Sequence, residues 1–384
     1  MQRKTPDRVD IKMIPVAPVT KDSFVYYPIK DNRIKVDLNN PQKASLFDYF
    51  SHIELIPLET SDKVLIGRLG KIICHQNRYY TLDILQAAVQ VFDENGKFIQ
   101  KIGKSGQGPE EYLPLLYDII INPFTGNIDL LCPYGWVYSY DLSGKYMKTS
   151  DKITNEDLLN INQLTAINEK IYVFISFAHP FYIAYYDIEE KKILSQEYEN
   201  YSRNSLPGFY FYNNRWYFKP VYDNMIYEVA PNSLIESYSL DFGKFNYKIK
   251  EEIFPRTLTQ GLTTSSQIDA KLTEAQNKYP YRIRYQGQNY KYVIAQIMLK
   301  NEENSVLIYD KSINESKFIK IFADLVDFFP YIVTNEYVLS WCQHGALEKH
   351  ISEEMLDETN RQKFKKLINT VGELNPVIIK YYFK

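Results

Sequence analysis

Val91–Tyr112 reads VFDENGKFIQKIGKSGQGPEEY, and its two turn signals are of different kinds. The first, Asp93-Glu94-Asn95-Gly96, separates two alternating apolar runs. Asp followed by Asn-Gly supplies a tight turn with positive φ at little steric cost, so the stretch predicts a β-hairpin. The second, Gly103 to Tyr112, packs Gly103, Gly106, Gly108 and Pro109 ahead of Glu110, Glu111 and Tyr112. It is either a phosphate-cradling loop or a corner between strands. A Walker A loop needs a glycine five residues before the Gly-Lys-Ser, and Phe98 stands there. The glycines run G-x-x-G-x-G rather than G-x-G-x-x-G, and Pro114 followed by a β run leaves no helix to open after them. The stretch therefore reads as a corner. Its glycines permit a sharp turn, and Pro109 disfavours helix at Gly108.

Moving outward, the hairpin phrase recurs. VYSYDLSGKYMKT (Val137–Thr149) repeats it with Gly144 at the turn. Weaker copies are IAYYDIEEKKILSQ (Ile183–Gln196), MIYEVAPNSLIESYSL (Met225–Leu240) and VLIYDKSINESKFIKIF (Val306–Phe322). The anchoring aromatics are Phe92, Tyr140, Tyr186, Tyr227 and Tyr309. The first four lie 41 to 48 residues apart, and the last interval is either two units or one unit plus an insertion. A further pair of β runs precedes each hairpin, as in Lys71–Asp83 and Tyr117–Pro133. Four strands per unit of this length predict an all-β, six-bladed β-propeller of four-stranded antiparallel blades. The sixth blade is composite: two inner strands from Phe328–Gln343, a third from PVIIKYYFK at the C-terminus, and the outer strand from IELIPLET (Ile53–Thr60). Closing the ring with both chain ends removes the exposed strand edge an open ring would leave.

Composition agrees. The chain has 384 residues with 34 Tyr, 21 Phe and only 15 Gly, and aromatic side chains favour pleated, half-buried strands. A net charge of −2 lacks the basic footprint that nucleic-acid binding needs. Cys74, Cys132 and Cys342 are far apart in apolar runs and read as small buried hydrophobes, not a disulfide framework. The start has no apolar signal region, and no run is long enough to span a membrane. Residues 1–45, polar and spaced by prolines, read as an extended arm ahead of a propeller over 46–384. Two stretches break the β pattern, about 248–279 and 347–371. In the second, Ile351, Met355, Leu356 and Phe364 fall near helical spacing, with Asp357 four residues before Arg361. Both read as helical insertions.

The phrase VFDENGKFIQKIGKSGQGPEEY resembles the repeat signature of NHL-like six-bladed propellers. It is closer still to a group of such propellers in gut bacteria, many of them lipoproteins, as are HIELIPLET (His52–Thr60) and the ending NPVIIKYYFK (Asn375–Lys384). That resemblance implies the fold and a periplasmic or cell-surface location, with a lipid anchor on the precursor. It implies no common activity.

Strand alternation puts the Gly-rich corner and both insertions on one face of the ring, where loops on a rigid scaffold would form a binding mouth. Candidate ligand contacts there are Glu110, Glu111, Tyr112, Arg282, Arg284, Trp341 and His344. Arg282 and Arg284 share a strand face flanked by Tyr281 and Tyr285. They would meet either Glu110 and Glu111 or an anionic ligand, unless they form outward salt bridges. Gly96, Gly103, Gly106, Gly108, Pro109 and Gly144 are structural turns. Nothing in the sequence spells out a cofactor or metal site. His344 and His350 lack metal-ligand spacing and read as solvated loop residues, and there is no G-x-S-x-G elbow or sialidase box. The leading expectation is a non-catalytic module binding a glycan, peptide or protein at this mouth. The alternatives are a hydrolase or lyase acting on a saccharide or peptide there, and a structural subunit of a surface assembly.

Overall fold

The computed structural model describes residues 24–153, 161–176, 181–199, 208–220, 223–248, 274, 277–300 and 304–384. Strands β1 (Arg33–Lys35) and β2 (Phe50–Pro57) come first. Four consecutive strands then form each of the first five blades. Blade 1 is β3–β6 (Leu69–His75, Arg78–Asp83, Ala88–Asp93, Phe98–Ile102), and blade 2 is β7–β10 (Asp118–Ile121, Ile128–Leu131, Val137–Tyr140, Tyr146–Thr149). Blade 3 is β11–β14 (Ile161–Ala166, Ile171–Ser176, Phe181–Asp187, Lys192–Glu199). Blade 4 is β15–β18 (Gly208–Tyr212, Arg215–Lys219, Met225–Val229, Leu234–Asp241), and blade 5 is β19–β22 (Tyr281–Gln288, Tyr292–Leu299, Asn304–Asp310, Glu315–Ile319). Blade 6 holds β23 (Ile332–Val333), β24 (Tyr337–Cys342) and β25 (Val377–Phe383), and β2 completes it, Leu55 facing Ile379 in an antiparallel pair. The propeller and its closure by both ends of the chain are thus as the sequence predicts.

The turns follow from local chemistry. In blades 1 and 2 the Asp93 and Asp141 carboxylates accept backbone N–H groups from Asn95 and Lys97, and from Ser143 and Lys145. Gly96 and Gly144 sit at φ +82° and +89°, a conformation that costs glycine nothing. The wide interval between Tyr227 and Tyr309 is one blade plus the 248–279 insertion, most of which lies outside the described residues.

Six apolar clusters lie between the six successive pairs of blades. Alternation along a strand feeds two of them at once. Ile119 and Ile121 face blade 1 while Ile120 faces blade 3. Ile56, Leu339 and Ile378 of blade 6 pack on Ile72, Tyr79 and Phe92 of blade 1, so the ring of clusters is closed. This two-sided burial explains strands such as Ile128–Leu131 that are buried at every position.

Within the segment ahead of the ring, β1 pairs parallel with β18 and adds a fifth strand to blade 4. The second insertion is not one continuous stripe. It forms α1 (Leu347–His350), a short 3-10 turn, and α2 (Glu358–Ile368). Asp357 does not pair with Arg361. It caps α2, accepting the Asn360 N–H, and the helix begins there because an Asp side chain satisfies that orphan donor. Ile351, Met355, Leu356 and Phe364 are all buried against blades 5 and 6.

Candidate functional site

Because strands alternate within each blade, links from second to third strand and from blade to blade emerge on one face. First-to-second and third-to-fourth links emerge on the other. The Gly-rich corner and the α1–α2 insertion therefore share a face, around one mouth of the ring.

Inner strands are tied to one another below that mouth. Lys71 on β3 donates to Asp118 on β7 at 2.7 Å, and Asp118 accepts the Leu164 N–H of β11 at 3.1 Å. Tyr331, just before β23, accepts the Ile72 N–H of β3 at 3.3 Å. One polar chain thus links blades 6, 1, 2 and 3.

Beside it stands a wall of rings at the inner edge of blades 5 and 6. Tyr285 of β19 lies 6.0 Å from Phe329 and 5.6 Å from Tyr331, centroid to centroid. Both of those rings lie 6.5 Å from Trp341 on β24. All four side chains are half-buried, and the Trp341 Nε1 is buried with no acceptor among the described residues. A register shift between Ile283 and Gln286 bends β19 here. Arg282 and Arg284 are both exposed on one side of that strand. Arg284 lies over the Tyr285 ring at 5.4 Å, Arg282 touches the Met298 sulfur at 3.3 Å, and neither is in an ion pair with a described residue.

The other expected contacts are placed differently. Glu111 folds back into its own corner, accepting the Gly108 N–H at 2.9 Å and pairing with Lys104 at 3.1 Å. The Gly108 N–H chiefly, with Lys104, holds its carboxyl below the usual range. A Cβ on Gly106 would stand 1.9 Å from the Glu111 carboxylate, so a larger residue there would push that side chain out of its corner. Glu110 is exposed, and its carbonyl accepts the Tyr140 hydroxyl at 2.7 Å. Tyr112 is 2 % exposed and packs edge-on against Tyr140 in the core between blades 1 and 2. His344 and His350 are half-buried rather than solvated. Their rings bond the Leu367 and Asp327 carbonyls at 2.6 and 2.7 Å and pin the insertion to the blade. The structure thus brings Arg284 and Trp341 to one wall, with Arg282 exposed two residues away on the same side of β19, and leaves Glu110, Glu111 and Tyr112 at the corner between blades 1 and 2. Sequence reasoning did not mark Phe329 and Tyr331 as site residues. The aromatic density of FFPY (Phe328–Tyr331), followed by a two-residue strand, was the available signal. Among the described residues no three His, Cys, Asp or Glu side chains converge as metal ligands.

A sequence profile described as a domain of unknown function, DUF4934, matches residues 31–382. The chain belongs to the DUF4934 family. No curated protein matches it. Among solved structures, this DUF4934 chain resembles a Bacteroides fragilis protein whose name describes it as exported. The TM-score is 0.66 at 16 % identity, covering 92 % of this chain and 99 % of that one. It also resembles a DUF4221-family member from Bacteroides vulgatus, with TM-score 0.50 at 12 % identity, over 87 % of this chain and 96 % of that one. At such identities the likeness concerns the fold. No helix among the described residues is long and apolar enough to cross a membrane.

Proposed function

We propose that this DUF4934 propeller is a non-catalytic binding module that takes an acidic glycan or peptide at the helix-bearing mouth. The observation behind this reading is the half-buried wall of Tyr285, Phe329, Tyr331 and Trp341 beside two exposed arginines without carboxylate partners among the described residues. An aromatic ring face accepts the flat face of a sugar or an aromatic side chain. A guanidinium offers paired donors to a carboxylate. Glu111 is already held by Lys104, and neither arginine is in an ion pair with Glu110 or another described carboxylate, which supports an anionic ligand as their partner. The exported Bacteroides fragilis relative supports a periplasmic or surface location.

A thermal-shift screen against acidic and neutral glycans and peptides tests the reading, because a ligand that binds only the folded state raises Tm. Acidic members should shift the native protein, and both Trp341→Ala and the double variant Arg282→Glu, Arg284→Glu should abolish the shift. Equal shifts for neutral and acidic members would overturn it. Turnover of a bound saccharide or peptide would instead favour the hydrolase or lyase alternative.

A further inference from the structure

The face opposite the helices carries a second site, independent of the proposal above. There the tips of the first hairpin of blade 4 and the second hairpin of blade 5 meet the segment that precedes the ring. Between them is a cleft of about 320 Å³, lined on the blade side by Tyr212, Tyr217, Tyr238, Gln288 and Lys311 and on the outside by residues 26–29. That volume is at the small end of ligand pockets, which run from about 300 to 1,000 Å³.

Lys311 is 6 % exposed. Its ammonium donates to Gln288 Oε1 at 2.9 Å, the Asn289 carbonyl at 2.6 Å and the Tyr212 hydroxyl at 3.4 Å, and it lies 4.5 Å from the Tyr212 ring centre. All of these are neutral. No carboxylate is in an ion pair with it among the described residues, and the neighbouring Asp310 faces Lys291 at 3.7 Å. Burial alone pushes the amine down to about 7. A buried cation without a counter-charge is costly, and an incoming anion relieves that cost. Behind it, Gln288 donates to Tyr210, Tyr210 and Tyr238 share a hydrogen bond, and Gln286 donates to Tyr238. Those amides and phenols fix the wall. The Tyr217 hydroxyl bonds no described residue, and the Tyr212 hydroxyl proton is free to donate while its oxygen accepts from Lys311.

We propose that this cleft binds a small monocarboxylate: the carboxylate takes hydrogen bonds from the Tyr212 and Tyr217 hydroxyls in the field of Lys311, and the ring-bearing remainder lies against the tyrosine faces. A single cation with no arginine suits one negative charge rather than a phosphate dianion. The first segment described, from Phe24, forms the outer wall. Phe24 stacks on Tyr290 at 4.6 Å, and the Tyr27 N–H bonds the Tyr290 carbonyl at 3.1 Å.

The test is isothermal titration of the full chain with two pairs of probes: benzoate against benzamide, and glucuronate against glucose. At least one acid should bind saturably, at least tenfold tighter than its neutral counterpart, and the two pairs separate an aromatic from a sugar carboxylate. Lys311→Met should weaken it at least tenfold. Tyr217→Phe removes one hydroxyl and no described hydrogen bond, so it keeps the fold and should weaken binding severalfold. Trp341→Ala, at the other mouth, should leave it unchanged. The proposal is overturned if acid and neutral probe bind alike, or if neither acid binds at about 10 mM. It also fails if Tyr217→Phe binds like the native chain, or if Trp341→Ala rather than Lys311→Met removes binding.

Discussion

Blade 2 and blade 6 have the same four-stranded antiparallel form, yet they are held together by different means. Blade 2 is one unbroken run of chain, so its hairpin turns set its register. Its interior adds a buried polar knot. The Asp129 carboxylate accepts from Ser139, Tyr172 of the next blade, and Asn122. Blade 6 takes its outer strand from one end of the chain and its third strand from the other, so no turn sets the pairing of β2 with β25. Side-chain amides serve there instead. Asn375, just before β25, accepts the Ile66 N–H at 2.7 Å and donates to the Glu59 and Val64 carbonyls at 2.6 and 3.1 Å. Asn360 of α2 accepts the Leu55 N–H at 3.0 Å. Where a connection is local, a turn fixes register; where it is not, fully bonded buried amides do.

The largest expected effect tests the composite blade directly. Deleting Ile53–Thr60 removes most of β2, exposes the β25 edge and opens the clusters on both sides of blade 6. The truncated chain should lose its cooperative melting transition by circular dichroism. An unchanged Tm would mean that β2 is decoration rather than closure.

Next comes the latch. Asn375→Ala leaves the buried Ile66 N–H and the half-buried Glu59 carbonyl without a partner, while the Val64 carbonyl keeps the Ser61 N–H, so the change should cost about 2–3 kcal/mol in denaturant unfolding. Asp129→Ala leaves the Ser139 and Tyr172 hydroxyls without their acceptor, while the Asn122 amide keeps the Tyr172 oxygen. It removes a buried carboxyl as well, which offsets part of the loss, so about 1–2 kcal/mol is expected. The reverse ranking would break the comparison. Burial holds the Asp129 carboxyl above the usual range despite its three donors. Its folded pKa exceeds the unfolded value of about 3.9, so native stability should fall as pH rises from there through the raised value. Asp129→Asn should abolish that slope, measured by chemical unfolding across the acid range.

The same contrast explains what the sequence revealed. Blades 1 and 2 were legible because Gly96 and Gly144 fill the left-handed turn position. In blades 3 and 5 the turn is one residue longer, and Lys191 at φ +54° and Asn314 at +58° occupy that conformation, so the glycine signature fades while the hairpin persists. The composite blade could be inferred only by counting strands, since nothing local marks β2 as the partner of β25. For the site, residue type pointed to Arg282, Arg284 and Trp341. The wall joining Tyr285, Phe329, Tyr331 and Trp341 forms across two blades, and linear spacing carries no trace of such a contact. Lys311 was invisible for the same reason: its isolation depends on Gln288, Tyr212 and residues 26–29 closing around it.

The smallest effect belongs to the turn that blade 6 lacks. Asp141 accepts the Ser143 hydroxyl at 2.6 Å and two backbone N–H groups, and the Ser143 hydroxyl chiefly holds its carboxyl below the usual range. The group is near solvent, so water replaces most of what Asp141→Ala removes, and about 0.5–1 kcal/mol is expected at neutral pH. The folded pKa is the lower one here. The contribution is therefore present above the unfolded value of about 3.9 and lost as pH falls through the folded value, opposite in sign to that of Asp129. Unfolding curves of the native chain and Asp141→Ala should converge in strong acid. A loss as large as that of Asn375→Ala would mean that a single exposed turn residue does for blade 2 what the buried amide latch does for blade 6.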